Sequence, residues 1–199
     1  MGKLILTSGG YLDGQRSDEL DKLIFKYSND KKVLLVQNAT TTGSNVKGIN
    51  NIKNNFKSIK AVIDVLTLNK DNLNLIFNYD VIYITGGDLA PLIELANNND
   101  FSTHILKHLN KGGVIIGESS GSMIFAKDLK WCYDINKGKK PKYDTILPTY
   151  KGLGLTNLNI FPHWNKVDDL YKQKTINYEK TTGIKIFRMQ DGEFEIIEI

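Results

Sequence analysis

Short runs of branched apolar residues recur along this chain, separated by longer amphipathic segments. Leu4-Ile5-Leu6, Val33-Leu34-Leu35-Val36, Ala61 to Leu66, Val81-Ile82-Tyr83-Ile84 and Val114-Ile115-Ile116 are of strand length and nearly free of polar residues. A strand that is apolar on both faces must be covered on both faces, and this is the condition of a parallel sheet between helical layers. The segments Glu19 to Tyr27, Leu89 to Asn97 and Ser102 to Leu109 carry the helical spacing that such layers need. The pattern predicts an α/β fold, a parallel-rich three-layer α/β/α sandwich formed by one domain over residues 1–199. Right-handed crossovers gather the loops that follow the strands along one edge of such a sheet, and chemistry is expected there.

Beyond Trp131 the alternation loosens. Tyr133 to Thr149 is polar, basic and punctuated by Pro141 and Pro148, which reads as a long loop. Near the end, Ile184 to Phe187 and Phe194 to Ile197 flank Gln190-Asp191-Gly192, predicting a C-terminal β-hairpin.

The chain has 199 residues, is 41% hydrophobic and 24% charged, and carries a net charge of +4. That surplus is mostly lysine spread along the chain, with one local run at Lys137, Lys139, Lys140 and Lys142. It argues against a nucleic-acid partner, which would require a clustered basic face. Cys132 is the sole cysteine, so no internal disulfide or cysteine-based zinc site can form. No apolar stretch approaches membrane-spanning length, and the run after Met1 is too short for a signal peptide. A cytoplasmic location without membrane contact is the expectation.

The most informative stretch is Gly117-Glu118-Ser119-Ser120-Gly121, which follows the apolar run Val114-Ile115-Ile116 and precedes a helix-like segment. A sharp strand-to-helix turn strains the central serine and exposes its hydroxyl, and glycines two positions to either side let the neighbouring backbones pass. The glycine spacing selects Ser119; centred on Ser120, the flanks would be Glu118 and Ser122. Ser119 is therefore the candidate nucleophile, and the Ser120 N–H is a candidate oxyanion donor.

A serine hydroxyl needs a base. His104 and His108 lie four apart on a helical segment and suit a solvated face. His163, in Phe161-Pro162-His163-Trp164, follows a short apolar run that can deliver it to the active edge, making it the candidate base. Asp134 is the first choice for the carboxylate that orients it, with Asp144 and Asp128 as competitors. Gly86-Gly87-Asp88, at the end of the fourth apolar run, offers a second oxyanion donor at the Gly87 N–H, with Asp88 placed to cap the next helix.

Taken in order, Ile84-Thr85-Gly86-Gly87-Asp88, Gly117 to Ser122 and Pro162-His163-Trp164 resemble the peptidase E/cyanophycinase family of serine hydrolases. Tyr150 to Leu155 and Leu4 to Gly10 extend the likeness over most of the chain. The resemblance implies a class I glutamine amidotransferase-like fold, a Ser-His-carboxylate triad without metal or cofactor, short peptide substrates and a homodimer. Ser120 stands where the family has Ala, and Asp88-Leu89 where it has Asn-Thr. Members that cleave after an N-terminal Asp need a cationic pocket. Neither Arg16 nor Arg188 maps to one, so Asp specificity is not predicted. Asp88 and Glu118 instead add acids around the serine, which would suit a basic or amino-terminal group. Three other readings stay open. They are an α/β-hydrolase esterase, a Cys132-dependent amidotransferase-like domain and a non-catalytic binding member of the fold.

Overall fold

The computed structural model describes residues 1–12, 14, 16–40, 46–136 and 149–199. The elements run β1 (Lys3–Thr7), α1 (Asp18–Ser28), β2 (Lys32–Val36), α2 (Val46–Ser58), β3 (Val62–Leu66), β4 (Val81–Ile84), α3 (Leu89–Ala96), α4 (Asn99–Asn110), β5 (Val114–Glu118), α5 (Ser120–Met123), α6 (Lys130–Asn136), β6 (Ile160–Phe161), α7 (Asp169–Thr182), β7 (Phe187–Arg188) and β8 (Phe194–Glu198). The first five apolar runs, from Leu4 to Ile116, each became a strand of the six-stranded sheet, ordered β3-β2-β4-β5-β1-β8. All neighbours in it are parallel except β8, which lies antiparallel to β1.

The inner strands β1, β2, β4 and β5 are apolar over nearly their whole length because both faces are packed, whereas the edge strands β3 and β8 carry Asp64, Glu195 and Glu198 and are partly exposed. Leu4, Leu6, Leu34, Ile82 and Ile115 meet Leu92, Phe101, Ile105 and Leu109 of α3 and α4. Ile5, Val33, Leu35, Tyr83 and Ile116 meet Leu20, Ile24, Ile52 and Phe56 of α1 and α2. Local signals start the helices: the Ser17 side chain accepts from the Leu20 N–H to open α1, and Asp88 accepts from Ala90 to open α3. A third apolar cluster, built on Trp131, Ile135 and Tyr171, joins α6 to α7 outside the main sandwich. Among the described residues, no helix is long and apolar enough to cross a membrane.

The C-terminal hairpin did not form as expected. Its turn exists, with Glu193 N–H donating to Gln190 O at 3.0 Å and Gly192 at φ +87°. The flanking segments nonetheless go to different sheets. β7 pairs in parallel with β6, whereas β8 takes the free edge of β1, from Thr7 opposite Phe194 to Lys3 opposite Glu198. Pairing with β1 gives β8 a full ladder, and it carries the turn at 190–193 to the carboxyl end of β1, where Ser8 N–H donates to Glu193 O at 3.2 Å.

Tight packing under the elbow explains its glycines. A Cβ on Gly117 would lie 2.4 Å from Gly121 O, and one on Gly121 would lie 2.2 Å from Ile84 O. Both obstacles are backbone and cannot swing aside. Gly121→Ala is therefore expected to destabilise the fold by about 1–3 kcal/mol or more, read as a lower urea midpoint at unchanged m-value.

Candidate active site

The carboxyl ends of β1, β4 and β5 converge on Ser119. Its backbone sits at φ +54° and ψ −117°, a region L-residues rarely enter. Two ties hold it there: Ser119 N–H donates to Thr7 O at 2.9 Å, and Ser119 O accepts from Ser122 N–H at 2.9 Å. Ser122 reinforces the elbow from below, its hydroxyl donating toward Thr7 O and Gly117 O at 2.8 and 2.7 Å. Gly86 backs directly onto the serine, where a Cβ would stand 2.9 Å from Ser119 Cβ.

His163 arrives from the end of β6. Its Nε2 lies 2.9 Å from Ser119 Oγ. Its own backbone is left-handed, at φ +57°, and its N–H donates to the buried Ser8 hydroxyl at 2.7 Å. Ser8 Oγ also bonds Met189 O at 3.0 Å, so one side chain ties the His163 turn to the strand leading into the 190–193 turn.

The carboxylate that meets the imidazole is Asp191, with Oδ1 2.5 Å from His163 Nδ1. A carboxylate accepts only, so the proton of a neutral imidazole belongs on Nδ1, which leaves Nε2 free to accept from the serine. The Asp191 side chain is 6% exposed; its Oδ2 pairs with Lys166 Nζ at 2.8 Å, and its N–H donates to Asn165 Oδ1 at 3.0 Å. Burial pushes its carboxyl upward, but the bonds and charges of Lys166 and His163 outweigh burial and hold it below the usual range.

Asp134, the expected partner of His163, does not reach it. It sits on α6, where both carboxylate oxygens are held by Lys130 Nζ at 2.7 and 2.8 Å, an i,i+4 surface pair. Asp128 caps α6, accepting from Lys130 N–H at 2.7 Å. Asp144 lies outside the described residues.

Gly87 and Ser120 flank the serine. Among the described residues, neither amide N–H has an acceptor. Gly87 sits at φ +132°, and a Cβ there would strike Ala39 O at 2.3 Å, so that position requires glycine. Helix α5 spans only Ser120–Met123, so its dipole adds little; the individual Ser120 N–H is what it offers.

The two acids expected to crowd the serine turn away. Asp88 is occupied with the α3 cap, accepting from Ala90 N–H at 3.1 Å. Glu118 is 1% exposed and lies on the opposite side of the elbow. There it accepts from Tyr83 OH at 2.7 Å and from Leu12 N–H at 3.1 Å. Burial and the Glu118 charge raise the Tyr83 phenol well above its ordinary value, so it remains a donor. Glu118 thereby ties the loop after β1, which carries Ser8, to the elbow.

A cleft of about 290 Å³ opens beside Ser119, Gly87 and His163, walled by Leu89, Met123, Trp131, Phe161, Val167 and Tyr171. Cys132 also lines it, but burial pushes that thiol up to about 12, which leaves it protonated and unsuited to nucleophilic attack. His104 and His108 are remote from the cleft. His104 bonds Asp100 O and Asn74 Oδ1, and His108 is buried near Val114 O, where burial lowers its pKa. Among the described residues, no three His, Cys, Asp or Glu side chains gather to hold a metal ion.

A six-stranded, mostly parallel α/β fold with a strained serine on the turn after its central strand β5 defines an α/β protein of the nucleophile-elbow class. The sequence profile of peptidase family S51 matches residues 4–194, and the chain belongs to that family. Its fold is similar to that of a peptidase E candidate from Listeria monocytogenes EGD-e, at a TM-score of 0.76 and 20% identity, covering 99% of this chain and 97% of that one. A peptidase from an acI-B1 actinobacterium has a TM-score of 0.70 at 16% identity, covering 100% of this chain and 84% of that one. In sequence, the chain is 25% identical to an uncharacterized peptidase of Listeria innocua over 66% of this chain and 62% of that protein. It is 26% identical to an uncharacterized peptidase of Pasteurella multocida over 67% of this chain and 66% of that protein. The matches thus span somewhat under two thirds of these relatives' own length.

Proposed function

We propose that this protein is a serine peptidase that hydrolyses short peptides by acyl transfer, with Ser119 as nucleophile, His163 as general base and Asp191 as the orienting carboxylate. The observation that carries the reading is the unbroken line from Asp191 Oδ1 to His163 Nδ1 at 2.5 Å and from His163 Nε2 to Ser119 Oγ at 2.9 Å. Ser119 attacks the scissile carbonyl while Nε2 accepts its proton. The Gly87 and Ser120 amides receive the developing oxyanion. The imidazolium, stabilised by Asp191, protonates the leaving amine, and a water activated by the same Nε2 then cleaves the acyl-enzyme. The cleft's volume, at the lower limit of ordinary small-molecule sites of about 300–1,000 Å³, favours a short peptide over a folded protein.

Fluorophosphonate labelling followed by intact mass tests the assignment. One adduct is expected on the wild type, absent in Ser119→Ala, retained in Ser120→Ala and strongly slowed in His163→Ala. No adduct on folded wild-type protein would overturn the reading and favour a non-catalytic member of the family.

A further inference from the structure

We propose that the cleft beside Ser119 selects substrates whose acyl-side residue, the one contributing the attacked carbonyl, carries a large apolar side chain such as Phe, Leu or Met. The inference rests on the serine reading above and adds the substrate class. The Gly87 and Ser120 amides, where the carbonyl oxygen must lie, line this same cleft. The α-carbon bearing the acyl side chain is bonded directly to the attacked carbon, so that side chain falls within reach of the cleft wall.

The wall is aromatic and aliphatic. Trp131 and Phe161 pack at 5.8 Å between ring centroids, and Trp131, Met123 and Tyr171 belong to the apolar cluster between α6 and α7. Among the described residues lining the cleft, Lys166 is the only cation, and Asp191 Oδ2 engages it at 2.8 Å. An acidic side chain would have to draw Lys166 away from the carboxylate that supports His163. Among the described residues, the only acid lining the cleft is Asp168, whose Oδ1 caps α7 by accepting from Tyr171 N–H at 2.9 Å. Glu118 and Asp88 do not line it. Among the described residues, the charges around the cleft are thus committed to structure, and its wall offers a ligand mainly apolar contact.

The test uses an aminoacyl and an N-acetyl-aminoacyl series of amidomethylcoumarins, which share one leaving group and within each series differ only in the acyl residue. Wild type and Val167→Arg are first titrated with a fluorophosphonate, counting folded sites with a reactive serine. In the wild type, kcat/KM for Phe, Leu and Met is expected to exceed that for Ala, Asp and Lys by about ten- to a hundredfold. Val167→Arg places a cation in the apolar wall; it is expected to lower the Phe rate at least about tenfold and to raise the Asp rate. If Val167→Arg does not fold, it yields no titratable serine and the wild-type series decides. A titratable Ser119 with a flat series, a preference for Asp or Lys, or no turnover would overturn the apolar assignment and leave the serine assignment standing. No titratable serine and no hydrolysis would overturn both.

Discussion

Replacing Ser119 with glycine is expected to abolish turnover, by roughly 10⁶-fold in kcat, while raising the melting temperature by about 2–4 °C. The first effect follows from removing the hydroxyl that stands 2.9 Å from His163 Nε2, the proposed nucleophile. The second follows from the backbone. At φ +54° and ψ −117°, a residue with a Cβ is strained by about 1–3 kcal/mol, whereas glycine enters this region freely. Part of that gain is offset by the added freedom of glycine in the unfolded chain, about 0.5–1 kcal/mol, leaving a net stabilisation of about 1 kcal/mol. The Ser119 backbone bonds to Thr7 and Ser122 need no side chain and persist in the variant. Ser119→Ala is the control, losing turnover equally without the thermal gain. A glycine variant that melts below the alanine variant would show that the elbow stores no such strain.

The sheet and the elbow were legible in the sequence because both depend on local pattern. Val114 to Ile116 had to be a buried strand, and glycines at 117 and 121 pass where a Cβ would come within 2.4 Å of backbone. His163 was legible because Pro162 and the short run Ile160-Phe161 fix where the chain turns. Helix α7 was not, since of its fourteen residues only Tyr171 and Thr175 are buried, too few to make an apolar stripe. That Asp191 is the carboxylate beside His163 was not legible, for a different reason. Chain order pointed to Asp134, between the serine and the histidine, and the turn formers around Asp191 looked like a hairpin's own chemistry. What brings Asp191 to the site is the long-range pairing of β8 with β1, which no local pattern encodes. One local signal did argue against Asp134: Lys130 stands four residues before it on a helix, the spacing of a surface ion pair.

The contest between these two carboxylates yields the sharpest kinetic prediction. Asp191→Asn is expected to lower kcat by roughly 10⁴-fold, and Asp134→Asn to leave it unchanged. An asparagine at 191 can turn its amide N–H toward Nδ1, which then accepts. The imidazole proton moves to Nε2, and the nitrogen facing Ser119 can no longer act as a base. Stability provides a second readout, with a definite sign. The Asp191 carboxyl is held below its ordinary value, so its contribution to the fold is fully present above about pH 4 and is lost as pH falls through its lower folded value. The wild type should therefore melt above Asp191→Asn at pH 7, with the gap closing only in strong acid. Loss of wild-type activity between pH 8 and pH 5 then cannot come from protonating Asp191, which stays ionised across that window. Equal kcat loss in Asp134→Asn, or none in Asp191→Asn, would return the role to a carboxylate other than the one that touches His163.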